Sequence, residues 1–271
     1  MFHSLVLLQF VALPWLVIGE HRIIGGNTES IKVVPWYGSL IANSKLKCGG
    51  VLVKNNYFLT AAKCVDGFDV SDLQLRLGTS SCESGGSKVG VCKVKVHPQY
   101  SSWRFDNNLA LLRTCEPLVA TDEIKPIESS DKIPEDNSQA NVTGCGARRG
   151  SVFDIDKGRA FGGFFDPLTD MFLNLPKQLH SAEVQILNQN QCSSDWKKIG
   201  LRFSFLLKGI SELTLCTQTS GKGASVYDMG DPLVVDNKLV GILSKPGCSA
   251  RPDVYANLNQ HKTWLDDNTK E

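Results

Sequence analysis

Residues 48–64 read Cys-Gly-Gly-Val-Leu-Val-Lys-Asn-Asn-Tyr-Phe-Leu-Thr-Ala-Ala-Lys-Cys. Two runs of β-branched, aliphatic and aromatic residues, Val51–Val53 and Tyr57–Leu59, flank Asn55-Asn56. Such runs fit a pleated, half-buried surface, and asparagine tolerates turn backbone, so the pattern predicts two strands. The rhythm continues outward at Leu73–Leu77, Val91–Val96, Leu109–Leu112, Val184–Ile186, Leu233–Val235 and Leu239–Leu243. Gly, Asn, Asp and Ser separate the runs, which argues for an all-β sandwich or barrels. One longer helix is expected over Leu258–Asp267, with Trp264 and Leu265 on one side, and a helical turn around Trp196. Arg148–Leu175, rich in Gly and Phe, and Ser193–Leu215, mixed basic and apolar, break the rhythm.

The chain has 271 residues, 42% of them hydrophobic and 21% charged, which suits a globular protein with one or two sizeable cores. A formal net charge of +1 supplies no field for nucleic acid or an acidic membrane. The first residues, with an apolar run from Leu5 to Ile18 ending at Gly19, read as a signal peptide over 1–19. The run is short for a membrane span and contains Pro14. Nine cysteines behind such a leader imply disulfides formed in an oxidising compartment, with at least one thiol left over. Their spacing matches no metal site, and no cofactor is implied.

From Arg22 onward the chain resembles the chymotrypsin-like (S1) serine proteases. The landmarks fall in family order: Arg22-Ile23-Ile24-Gly25-Gly26, Pro35-Trp36-Tyr37-Gly38-Ser39-Leu40, Cys48-Gly49-Gly50, Leu59-Thr60-Ala61-Ala62-Lys63-Cys64, Asn108-Leu109-Ala110-Leu111-Leu112, Val142-Thr143-Gly144-Cys145-Gly146, Tyr227-Asp228-Met229-Gly230-Asp231-Pro232-Leu233 and Pro252-Asp253-Val254-Tyr255. The resemblance implies two packed antiparallel six-stranded β-barrels, a cleft between them and a closing C-terminal helix. It divides the chain into a leader, a propeptide Glu20-His21-Arg22, and a protease-like domain over 23–271, with barrels over about 23–130 and 131–271.

Acyl transfer on this scaffold takes a serine nucleophile, a histidine base and an orienting aspartate. By the resemblance these places are held by Met229, Lys63 and Asn108. An ordinary lysine ammonium, with a pKa of about 10, has no free lone pair at neutral pH. The amide of Asn108 lacks the charge that steadies an imidazolium, and a thioether forms no acyl-enzyme. Asp106, two residues upstream, is not slid into the role, and a displaced Lys63–Ser225 dyad is the competing reading. Tyr227 and Asp231 replace family glycines in the oxyanion loop, where backbone N–H groups need glycine-permitted geometry. Pro246 removes an N–H from the strand that pairs with substrate. Gly223 stands where trypsin-type pockets carry an aspartate, and Asp253 replaces a glycine at the pocket base; it either receives a basic ligand or is solvated or paired with Lys245.

The activation device looks intact: cleavage after Arg22 would free the Ile23 α-amino group to pair with Asp228. The resemblance also implies disulfides Cys48–Cys64 and Cys192–Cys216. Cys82–Cys92 could close a local hairpin, and two of Cys115, Cys145 and Cys248 are expected to pair with each other, leaving the third free. Asn141-Val142-Thr143 is an N-glycosylation sequon. Arg148–Leu175 either contacts partners or packs over the cleft, and the same question attaches to Ser193–Leu215. The expected function is that of a secreted, catalytically inactive homologue, not an enzyme. It would bind extracellular proteins, proteases or their substrates, as adaptor, decoy or cofactor. The resemblance suggests a protease cascade or a reproductive or immune fluid of insects. The alternatives are a serine-type endopeptidase with residual or displaced activity, and a carrier using the former specificity pocket.

Overall fold

A computed structural model describes residues 23–146, 177–197, 210–225 and 228–270. Alternation sets the first barrel. Leu73, Leu75 and Leu77 of β5 (Leu73–Leu77) point into its core, while Gln74 and Arg76 point away. The other walls are β2 (Tyr37–Ala42), β3 (Lys45–Lys54), β4 (Tyr57–Thr60), β6 (Ser87–Val96) and β7 (Ala110–Thr114). They close as an antiparallel barrel in the order β2-β3-β4-β7-β6-β5. Asn43 and Ser44, with φ of 49° and 63°, make the two-residue turn from β2 to β3, whose twist suits the flanking strands.

The second barrel joins β8 (Gln139–Gly144), β9 (His180–Leu187), β10 (Thr214–Thr217), β11 (Pro232–Val235), β12 (Lys238–Lys245) and β13 (Asp253–Asn257). Its strand order is β9-β10-β13-β12-β11-β8, closed by β8–β9 pairing, and the short β1 (Asn27–Thr28) adds to the outside of β9. The two six-stranded antiparallel barrels are thus those of the trypsin-like fold. A third apolar cluster lies between them, where Val51, Leu59, Leu109 and Leu111 of the first meet Val234, Leu239 and Ile242 of the second. Leu265 and Trp264 of the C-terminal helix α2 (Lys262–Asn268) seal this cluster. The helix α1 (Gln189–Lys197) buries Trp196 beside Phe105.

Two expectations change here. The C-terminal helix begins at Lys262, not Leu258. Leu258 N–H donates to Val240 O and the His261 ring holds Asn257 O at 2.7 Å, so residues 258–261 continue the sheet edge and turn. The cysteine pairing also differs. Four disulfides join Cys48–Cys64, Cys82–Cys145, Cys92–Cys115 and Cys192–Cys216, and Cys248 is the free thiol. Cys82 does not reach Cys92, because Ser87 faces Leu77 and Gly90 faces Gln74, so the two cysteines sit at opposite ends of the β5–β6 hairpin. Cys92 instead lies beside the end of β7, where Val91 faces Thr114 and Cys115 N–H donates to Gly90 O. Cys145, at the end of β8, takes Cys82, so none of Cys115, Cys145 and Cys248 bonds to another.

Candidate functional site

Lys63 sits in a 3₁₀ turn, Ala62–Cys64, directly after β4. Its side chain is half-exposed and its ammonium lies 3.6 Å from Asp66 Oδ2. Asn108, just before β7, is buried, and its amide is saturated. Oδ1 accepts from Lys63 N–H at 2.9 Å, and Nδ2 donates to Ser244 Oγ at 3.0 Å and Ser244 O at 3.3 Å. Ser244 Oγ gives its one hydrogen to Phe105 O at 2.6 Å, so toward Asn108 it offers only lone pairs. A carboxylate at 108 would keep the Lys63 N–H donor but face the Ser244 carbonyl oxygen, and the Ser244 hydroxyl would have to leave Phe105 O to donate to it. Asp106 is occupied elsewhere, in a fork of two hydrogen bonds with Arg104 at 2.7 and 2.6 Å. Lys63 and Asn108 are therefore brought together through the backbone, and the lysine head points outward. Ser225 is fully buried, with its N–H on Asp228.

Met229 packs against the first barrel's core and its carbonyl accepts Gly49 N–H at 3.1 Å. The next residue, Gly230, has φ of 89°, and a Cβ there would lie 2.3 Å from both Gly49 O and Thr60 Oγ1. This close approach of backbone to backbone explains why glycine stands at 230.

The acids on either side form the most unusual feature of the site. Asp228 and Asp231 are both fully buried, and Asp231 N–H donates to Asp228 O. Asp228 Oδ2 accepts Ser225 N–H at 2.6 Å. Burial pushes the Asp228 carboxyl up to about 6, against the Ser225 and Gly146 N–H groups and the Asp231 carboxyl, which hold it lower. Asp231 is raised well above the ordinary carboxylate range, first by burial and then by the Asp228 charge. Neither Asp231 carboxyl oxygen nor Asp228 Oδ1 has a hydrogen-bond partner among the described residues, so the two acids meet in the same dry space with their side-chain charges opposed. Glycine makes the room: a Cβ at Gly49 or Gly144 would lie 1.5 or 1.7 Å from an Asp231 oxygen. The buried Tyr37 hydroxyl joins the cluster, and its own ionisation is raised, by burial and then by Asp231. Tyr37, Gly49, Gly144 and Ser244 were not marked as site residues by sequence. The signal for the first three was the three landmarks that contain them, and their role shows only when β2, β3 and β8 converge on Asp231.

Ile23 is fully buried among the second barrel's core residues, and Ile24 bridges Gly223. Arg22 and Tyr227 lie outside the described residues, as do 147–176, 198–209 and Val226. Asp253 is neither solvated nor held by Lys245. It is 3% exposed, and its carboxylate accepts Ala224 N–H at 2.8 Å and Gly247 N–H at 2.6 Å. Burial still outweighs those two donors and pushes its carboxyl up to about 7. Gly223 closes over the same group, since a Cβ there would lie 2.8 Å from Asp253 Oδ2. Gly223 and Asp253 thus share one spot, with half-buried Pro246 beside Gly247. Among the described residues no three acidic, histidine or cysteine side chains gather as metal ligands.

The sequence profile of the trypsin family matches residues 23–158 and 167–265. The chain belongs to the trypsin family. Trypsin delta of Drosophila erecta is 31% identical over 91% of this chain and 88% of its own length. Hypodermin-B of Hypoderma lineatum is 29% identical over 93% and 89%. Among solved structures, the scabies mite inactivated protease paralogue S-D1 superposes with a TM-score of 0.74 and 25% identity, covering 90% of this chain and 96% of its own. Neuropsin, a serine protease expressed in the limbic system of mouse brain, gives 0.73 and 25%, covering 90% and 99%. These relatives correct one expectation. A trypsin-family chain whose curated relatives are named trypsins is not to be set down as no enzyme, and at 31% identity the comparisons do not themselves show a lost triad.

Proposed function

We propose that this trypsin-family protein acts by binding other extracellular proteins, proteases or their substrates, as an adaptor, decoy or cofactor. The observation that carries the reading is Asn108: its amide is locked to Lys63 N–H and to Ser244, leaving Lys63 Nζ to the solvent and Asp66. On the loop before it, Trp103 is 77% exposed, an aromatic surface of the sort that anchors protein contacts. Four disulfides support an oxidising, extracellular setting, reached through the 1–19 leader. The exposed Asn141 is available as a glycan site, although its sequon partner Thr143 is buried against Ser181. Cleavage after Arg22 is the proposed switch, and Asp228, buried with Oδ1 lacking a donor, is the receptor for a freed Ile23 ammonium. Buried Asp253, already bonded to backbone, does not favour the carrier reading.

The names of the relatives favour a second reading, a serine-type endopeptidase with residual or displaced chemistry. One experiment separates the two. The protein cut at Arg22 is incubated with a fluorophosphonate probe, and in parallel used for affinity capture from its native fluid. Partner capture without probe labelling is expected. Stoichiometric labelling of a serine would establish the second reading and overturn the first.

A further inference from the structure

Arg76 is an arginine in an unusual position. It lies on the outward face of β5, opposite Ser39 of β2 and Lys88 of β6, yet it is only 9% exposed. Its Nε and Nη1 are buried and have no hydrogen-bond partner among the described residues. Buried N–H groups without an acceptor are costly, because each forfeits its solvation. Arg76 lines a cavity of about 180 Å³, whose other walls are Ile41, Ser44, Leu46, Cys82 and Glu83. The walls are well braced. Ile41 and Leu46 face each other across the β2–β3 turn, and Cys82 is tied to Cys145.

We propose that this cavity is a binding site for a small monocarboxylate, held by the Arg76 guanidinium with its hydrocarbon part against Ile41, Leu46 and Cys82. Charge selects the class. Arg76 is the one cation among the lining residues, Lys88 opposite it being exposed and outside the lining, and exposed Glu83 adds a negative charge at the same cavity, so a dianionic phosphate or sulfate is disfavoured against a singly charged carboxylate. Size fits the class: about 180 Å³ has room for a short-chain acid, or for the carboxylate end of a partner's acidic side chain or C-terminus. Glu83 is itself a candidate to fill the site, but it makes no ion pair with Arg76. The site lies on the first barrel, apart from the Asn108 and Asp231 neighbourhood, and does not depend on the function proposed above.

The test uses the full secreted chain in chloride buffer at pH 7, titrated calorimetrically with butyrate, with an acetylated peptide ending in a free leucine carboxylate, and with inorganic phosphate. Butyrate is expected to bind at one site with a dissociation constant on the order of 1 mM. Arg76→Gln should weaken it by about tenfold or more, the share of a charge-assisted hydrogen bond, and Glu83→Gln should tighten it. Binding of the peptide as well identifies a protein terminus as an eligible source, and binding of butyrate alone confines the site to free acids. Should Arg76→Gln fail to fold, Leu46→Trp, which fills the cavity from its apolar wall, must abolish binding. No butyrate binding, phosphate binding as tight as butyrate, or butyrate binding untouched by these variants would each overturn the proposal.

Discussion

Replacing Asp253 by Asn should remove a specific part of the protein's pH dependence. The carboxyl is pushed from an ordinary 3.8 up to about 7 on folding, mainly by burial. A raised folded-state value means that the native state holds the proton more tightly than the unfolded chain. Asp253 therefore contributes its stability below about pH 4 and loses it as pH rises to about 7. Integrated from pH 5 to pH 8, the loss is about 3 kcal/mol. Asp228, raised to about 6, acts with the same sign over a narrower window. His97, lowered to about 4, and His261, also lowered, act oppositely, since each must stay neutral when folded. The wild-type slope is a sum of opposing parts, so the informative quantity is the difference between wild type and Asp253→Asn. Urea unfolding at pH 5 and pH 8 should show the wild type losing about 3 kcal/mol more than the variant across that interval. An identical pH slope in the two proteins would refute the account, because it would mean that Asp253 is as well solvated folded as unfolded.

Asn108→Asp should cost about 1–3 kcal/mol at pH 7, because the new carboxylate meets Ser244 O and a hydroxyl already given to Phe105; a rise in Tm would contradict this. Removing the Cys92–Cys115 bridge by paired serine substitution frees a 23-residue separation and should cost about 3 kcal/mol in denaturant midpoint experiments, whereas no loss would argue against that pairing. Ser249→Gly, at an exposed position with φ of 58°, should stabilise the protein by up to about 1 kcal/mol, and a destabilised variant in a thermal melt would count against left-handed strain there.

The strands with strong aliphatic and aromatic runs were legible in the sequence: β4, β5, β7 and β12 lie where the pattern predicts them. β10 and β13 escaped the pattern, since Thr214–Thr217 and Asp253–Asn257 are buried on both faces and carry polar residues that pair locally. The places of Lys63, Asn108 and Met229 were legible from their neighbours, but what they do there was not. That Asn108 is saturated depends on Ser244, 136 positions away, and that Asp231 is fully buried depends on glycines in β3 and β8. The wrong hairpin disulfide came from proximity in sequence, which says nothing about which end of a hairpin a residue occupies.

The Cys82–Cys145 bridge runs from the loop after β5 to the end of β8 and is the single disulfide joining the two barrels among the described residues. A protease that cuts anywhere between residues 82 and 145 therefore leaves one covalent particle, separable only by a reductant. Residues 1–22 contain no cysteine, so a cut after Arg22 would leave no disulfide holding them to the rest. The molecule is thus built so that trimming at its front releases a peptide, while nicking in its waist leaves both halves in each other's company.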